Sequence, residues 1–199
     1  MLKLLVTCAA AAFLALPASA ATLTWGAVLS GDQEIPPVPS AATGTGWVQY
    51  DSAANDLSLY VAWEGLTGPG IQAHIHCCVA TPPGNVGIAL DLWLPSDPSR
   101  PTSGFFTATY DLDTTNPFRV AFTNASGGTT AGALERLIAA MDAGDGRVYY
   151  NIHTAQYPGG EIRGNLMPVP EPATTAGLLA AVGAMLALRR RRQSRAANS

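Results

Sequence analysis

The sequence predicts an all-β fold: an antiparallel β-sandwich or Greek-key barrel with one short helix. Three observations carry this expectation. Leu57, Leu59, Val61 and Trp63 alternate with Ser58, Tyr60, Ala62 and Glu64, the period of a strand with one apolar face. Similar short stretches recur along the chain, divided by Gly31, Pro36-Pro37, Gly65, Gly68-Pro69-Gly70, Pro82-Pro83-Gly84, Pro95, Pro98 and Gly127-Gly128. Short strands cut by such turns indicate a sandwich or a barrel. Only one segment has clear helical spacing.

Taken in order, the other expected strands are Trp25 to Leu29, Gly46 to Tyr50, Ile71 to His76, Val86 to Trp93, Phe105 to Leu112, Phe118 to Phe122, Arg147 to His153 and Glu161 to Leu166. Ile35 to Thr45, rich in Pro, Ser, Ala and Thr, reads as a surface loop. The helix runs from Thr130 to Met141, with Leu134, Leu137, Ile138 and Met141 at i, i+3, i+4, i+7. Thr130 is its expected cap and Gly144 its expected stop. It is expected to close an open end of the barrel or to cover a sheet edge.

The two ends of the chain differ from this middle. Met1-Leu2-Lys3 is a short positive start, Leu4 to Leu16 is apolar, and Ala18-Ser19-Ala20 has the small-x-small form of a signal-peptidase site. Residues 1–20 are therefore read as a signal peptide. The apolar run is short of the roughly 20 residues a bilayer span needs. Cys8 is not read as a lipidation site, because Thr7 is a poor preceding residue and the apolar run continues past it. At the other end, Val169-Pro170-Glu171-Pro172 precedes a second apolar helix, Ala176 to Leu188, and then Arg189-Arg190-Arg191-Arg192. Arginines after an apolar run hold its end on the cytoplasmic side of a membrane.

Between the ends lies one domain of ordinary size, residues 21–167. All 14 acidic residues fall between Asp32 and Glu171, whereas of the 11 basic ones only Arg100, Arg119, Arg136, Arg147 and Arg163 do. The domain is thus far more acidic than the whole chain's formal charge of −3. Such a surface disfavours nucleic acid, which needs cationic partners, and attracts metal cations.

The candidate site comes from the only three histidines, His74, His76 and His153. Alternate side chains of a strand share a face, so His74 and His76 stand together, roughly 7 Å apart along the backbone. If the strand carrying His153 lies alongside, three imidazoles meet, an arrangement that suits copper or zinc. Cys78 and Glu161 are further candidate ligands. Asn151, on the His153 face by parity, and Glu161 are candidates for orienting the imidazoles. For Cys77 and Cys78 the competing assignments are a vicinal disulfide and two buried thiols. Arg163, at i, i+2 from Glu161, is read either as a guide for an anion or as the partner of Glu161 in a surface ion pair, worth little.

Gly31-Asp32-Gln33-Glu34 with Pro36 and Val38, Ala73-His74-Ile75-His76, and Tyr150-Asn151-Ile152-His153-Thr154 followed by Pro158-Gly159-Gly160-Glu161-Ile162-Arg163-Gly164 resemble a CHRD domain, the module named for chordin. The resemblance implies a secreted β-rich module and gives no settled activity. The Pro170-Glu171-Pro172 motif, apolar helix and arginine tail of residues 168–199 resemble the PEP-CTERM sorting signal of bacterial surface proteins. That resemblance implies removal of the tail by an exosortase and release to the cell surface or extracellular matrix, with membrane contact only through the tail helix beforehand. An ordinary tail anchor is the alternative.

The sequence is thus read as an exported, non-catalytic surface module with a histidine metal site. Two alternatives stay open. One is a copper-dependent oxidoreductase, partly similar to copper–zinc superoxide dismutase but lacking a fourth histidine to bridge a second metal. The other is a metal-free adhesion module that binds exopolysaccharide or a surface protein, with one of Trp25, Trp47, Trp63 and Trp93 as a sugar-stacking ring. Trp63 belongs by alternation to the core. No Gly-x-Ser-x-Gly elbow, phosphate loop or paired-cysteine zinc motif occurs.

Overall fold

A computed structural model describes residues 22–93 and 101–170. The expected signal peptide, the turns at Pro95 and Pro98, and the tail from Glu171 onward lie outside the described residues. Among the described residues no helix is long and apolar enough to cross a membrane.

The elements are β1 (Thr22–Ser30), β2 (Thr43–Asp51), β3 (Asp56–Glu64), β4 (Gly70–His76), β5 (Ile88–Trp93), β6 (Gly104–Asp111), α1 (Val120–Asn124), α2 (Thr130–Asp142), β7 (Tyr149–Thr154), β8 (Ile162–Asn165) and β9 (Met167–Pro168). They form one antiparallel sheet in the order β5-β4-β7-β8-β1-β2-β3-β6, with β9 added to β1. The sheet curls into a nearly closed barrel. Its two edge strands approach each other through aromatic packing: Trp93 of β5 lies 6.0 Å from Phe106 of β6 and 5.2 Å from Trp63 of β3.

The alternation in β3 works as expected. Leu57, Leu59, Val61 and Trp63 are buried in the barrel interior, facing Trp25, Leu29, Val48, Ile75, Tyr150 and Ile152. The tight β2–β3 turn is set by Asp51, whose carboxylate accepts from the Ala53 and Ala54 amides. It closes on Asn55 at φ 55°, a conformation asparagine tolerates better than most residues.

The segment from Phe118 to Phe122 is not a strand. Phe118 makes a single bridge to Leu90, after which the chain turns into α1. The strand reading put Phe118, Val120 and Phe122 on one face. Phe118, just before α1, and Phe122, within it, are buried and pack on each other, while Val120 is 75% exposed. Helix α2 is capped one residue earlier than expected, by Thr129 rather than Thr130: Thr129 Oγ1 accepts from the Gly132 amide at 3.0 Å. It stops at Gly144, φ 62°. Leu134, Leu137 and Met141 are buried, and Asp142 accepts from the Trp25 indole at 3.0 Å. Leu134 and Ile138 share a cleft with Tyr50 and Leu112, so α2 closes the barrel end that holds the β2–β3 turn.

Candidate metal site on the outer face of the sheet

Strand β4 pairs with β7, with His74 opposite Asn151, His76 opposite Tyr149 and Gln72 opposite His153. Strand β7 in turn pairs with β8, with Asn151 opposite Arg163. Residues at these positions alternate with Ala73, Ile75, Tyr150 and Ile152, which fill the barrel. The histidines therefore occupy the other, outer face. There they are still covered, His74 being 3% and His153 7% exposed.

The three imidazoles meet. One ring nitrogen from each lies within 4.8 Å of the others, and His74 Nδ1 is 3.0 Å from His153 Nε2. Each ring turns its other nitrogen to an oxygen. His153 Nδ1 donates to the Pro158 carbonyl at 2.9 Å, and His76 Nδ1 donates to the Val86 carbonyl at 2.7 Å. His74 Nε2 faces the Asp91 carboxylate at 3.5 Å. Asp91 is held by Arg119 through two bonds of 2.6 and 2.7 Å, a fork geometry specific to guanidinium and carboxylate. The remaining His76 nitrogen meets the Asn151 carboxamide at 3.1 Å.

This arrangement leaves a neutral His74 unsatisfied. His153 spends its proton on Pro158, so its Nε2 is a lone pair. If His74 carries its proton on Nδ1, its other lone pair faces the Asp91 carboxylate. If it carries the proton on Nε2, two lone pairs face each other across 3.0 Å. Only a doubly protonated ring or a cation between the rings satisfies both contacts. Protonation is opposed: burial first, then the charges of His153 and His76, lower the His74 pKa to about 3. Burial also lowers His76 and His153.

A layer of buried polar groups continues past the imidazoles. The Tyr149 ring lies parallel to His76, 4.7 Å away, with the Arg163 guanidinium 3.4 Å over it. Arg163 donates to Asn85 Oδ1 and to the Gly84 carbonyl. Glu34, buried beside Asn151, is held up at a pKa of about 7 by burial, against the opposing charge of Arg163. Glu34 Oε1 and Arg163 Nε are both buried without a hydrogen-bond partner among the described residues. Gly160, at φ 129°, packs on this carboxylate, and any side chain there would strike Glu34 and Asn151.

The Glu34 pKa makes a stability prediction. A folded pKa raised above its ordinary value means that stability is complete below pH 4.5 and declines as pH rises toward 7. Glu34→Gln is therefore expected to be more stable than the parent at pH 8, by about 3 kcal/mol at most, and nearly equal at pH 4. Urea unfolding at both pH values checks this; a variant less stable at pH 8 contradicts it.

Two sequence candidates lie elsewhere. Cys78 is bonded to Cys77 in a vicinal disulfide, so its sulfur offers no thiolate. The Glu161 carboxylate is taken up by Ser40 Oγ, the Thr67 amide and hydroxyl, and Thr154 Oγ1. Neither joins the three imidazoles in the ligand cluster. Glu161 and Arg163 also do not form the expected surface pair: both are fully buried, each among its own partners. Sequence reasoning missed Asp91, Glu34 and Tyr149. Glu34 was visible only as part of the Gly31-to-Glu34 block.

The fold and site define an antiparallel β-barrel module with a covered histidine cluster on its outer face. Residues 25–166, well over half the chain, match the CHRD domain. The chain belongs to the CHRD-domain family. Residues 168–192 match the PEP-CTERM protein-sorting motif, which marks the chain for export, recognition by exosortase machinery and sorting to the cell envelope. No curated protein and no solved structure matches the chain.

Proposed function

We propose that this protein is an exported surface module whose His74, His76 and His153 hold one transition-metal ion, copper or zinc. In this reading residues 1–20 are removed on export, residues 21–167 form the displayed module, and the sorting machinery removes residues 168–199. The observation that carries the metal reading is the orientation of the rings. His74 and His153 each point one nitrogen at an oxygen and the other at each other, and His76 is fixed by Val86 and Asn151 with one nitrogen within 4.8 Å of theirs, the pattern by which ligating histidines are oriented. The distances fit. Metal–nitrogen bonds of about 2.0–2.1 Å at roughly a right angle place two nitrogens about 3 Å apart. The 4.8 Å limit of the cluster slightly exceeds two such bonds, about 4.2 Å, so one ring must shift inward by a fraction of an ångström. His76, whose free nitrogen is held only by Asn151, is the ring able to move.

Imidazole donors suit copper and zinc. The ion would supply a fixed positive charge between rings that otherwise oppose one another. Burial of His74 and His153 favours an ion that is held over one that exchanges with a substrate. The same closure gives an exopolysaccharide or a surface protein nothing to grip at this site.

The test is metal content after equilibrium dialysis of the full chain against copper or zinc. One equivalent per chain is expected for the parent, and none for His74→Ala or His153→Ala, with circular dichroism verifying the fold. Asp91→Asn removes the charge behind His74 and is expected to weaken binding by about 10–100-fold. A folded parent without stoichiometric metal ends the proposal.

A further inference from the structure

A second site stands apart from the histidines. On the outer face of the sheet Trp47 of β2 lies opposite Tyr60 of β3. The rings stack 5.7 Å apart at 14°, and Phe105 of β6 extends the row at 6.3 Å. Tyr60 thus covers one face of the indole. On the β1 side Trp47 lies opposite Gly26, which has no side chain to cover the other face. A cleft of about 820 Å³ opens there, with Trp47 on one wall and Met167 and Val169 on the other. Its apolar rim includes Val28, 68% exposed.

The polar groups of the cleft have a common character. Gln33 Nε2 donates to the Val28 carbonyl, and Gln49 Nε2 donates to Thr24 Oγ1. Their carboxamide oxygens are left as acceptors. Asn165 also lines the cleft, with its Oδ1 buried beneath the surface. None of the lining side chains is ionisable, although the domain as a whole is strongly acidic. The fitting ligand therefore has an apolar face to lie on an indole, hydroxyl donors for the two glutamine carboxamide oxygens, and no charge. The cleft lies in the size range of small-molecule sites. A second copy of the chain or the chain's own apolar tail would cover Trp47 but leave those acceptors unmet, at the usual cost of a lost hydrogen bond each.

We infer that the cleft over Gly26, between Trp47 and Val169, binds a neutral saccharide chain through its pyranose rings. This does not depend on the metal reading. The full chain is titrated calorimetrically with cellohexaose, maltohexaose and laminarihexaose, and with hexagalacturonate as the charged comparison. At least one neutral hexaose is expected to bind at millimolar concentration or below, and hexagalacturonate at least about tenfold more weakly. Trp47→Ala is expected to weaken binding by about tenfold or more, and Trp47→Phe by less. Gly26→Val, which fills the floor with an isopropyl group while leaving every polar group in place, is expected to block binding. Metal content should not change in any of these variants. The inference is overturned if no neutral hexaose binds, or if the folded Gly26→Val protein binds like the parent. It is also overturned by self-association in sedimentation that Trp47→Ala abolishes, which assigns the face to a second copy.

Discussion

Glu161→Ala is expected to lower stability by about 3–5 kcal/mol, the cost typical of breaking a buried, fully bonded charge. Domains of this size have roughly 5–15 kcal/mol in total, so the variant should lose a third or more of its margin. The cause is the position of the carboxylate. It accepts from Ser40 at 2.7 Å, from the Thr67 amide and hydroxyl at 2.9 and 2.8 Å, and from Thr154 at 2.7 Å. Four donors from three separate segments converge on it, and alanine leaves all four facing a void. Burial alone would raise its pKa, but the four bonds together hold it below the usual carboxylate value. A lowered pKa means that the contribution is present at neutral pH and is lost as pH falls through the acidic range. Urea midpoints of Glu161→Ala and of Glu64→Ala give the comparison. Glu64 is exposed, its side chain accepting from Thr43 Oγ1 at 3.4 Å among the described residues, and should change little. Equal midpoints for the two variants would show that the Glu161 bonds contribute no more than surface contacts.

Metal, once bound, is expected to stay bound when the pH falls from 7 to 5. Three exposed histidines of ordinary pKa near 6.5 would lose affinity by about 10⁴-fold over that range, because protons compete for each ring. Here burial lowers the pKa of all three rings, that of His74 to about 3, so protons compete less. The metal-free protein should behave in the opposite way. Each lowered histidine pKa contributes stability that is present above pH 6.5 and lost as the pH drops below it. Acid should therefore weaken the apoprotein while the loaded protein resists. Dialysis at each pH followed by metal analysis measures the first effect, and thermal midpoints with and without metal the second. Loss of the ion in step with an ordinary histidine titration would contradict the buried site.

The alternation in residues 57–64 and the helical spacing of Leu134, Leu137 and Met141 are local, and local periods survive folding. The face shared by His74 and His76, and that shared by Asn151 and His153, were legible for the same reason. The pairing of β4 with β7 was not, because no short-range pattern encodes which distant strands meet. Phe118 to Phe122 failed because its alternating apolar residues fit a strand, whereas only Phe118 pairs and the chain turns helical from Val120. Glu161 and Arg163 failed for another reason. A charge two residues from its opposite looks like a surface pair until the groups that bury it are known, and those groups lie in the loops at Ser40, Thr67, Gly84 and Asn85. Asp91 reaches His74 only because β5 flanks β4.

The Val169 amide donates to the Thr24 carbonyl at 2.8 Å, and β9 pairs with the start of β1. The first and last strands of the barrel thus leave it as neighbours. A tether at either terminus holds the same pole of the molecule toward its anchor and turns the same opposite pole outward. Traction applied between the two ends would unzip this two-residue seam before it loads the β4–β7 ladder that carries the imidazoles.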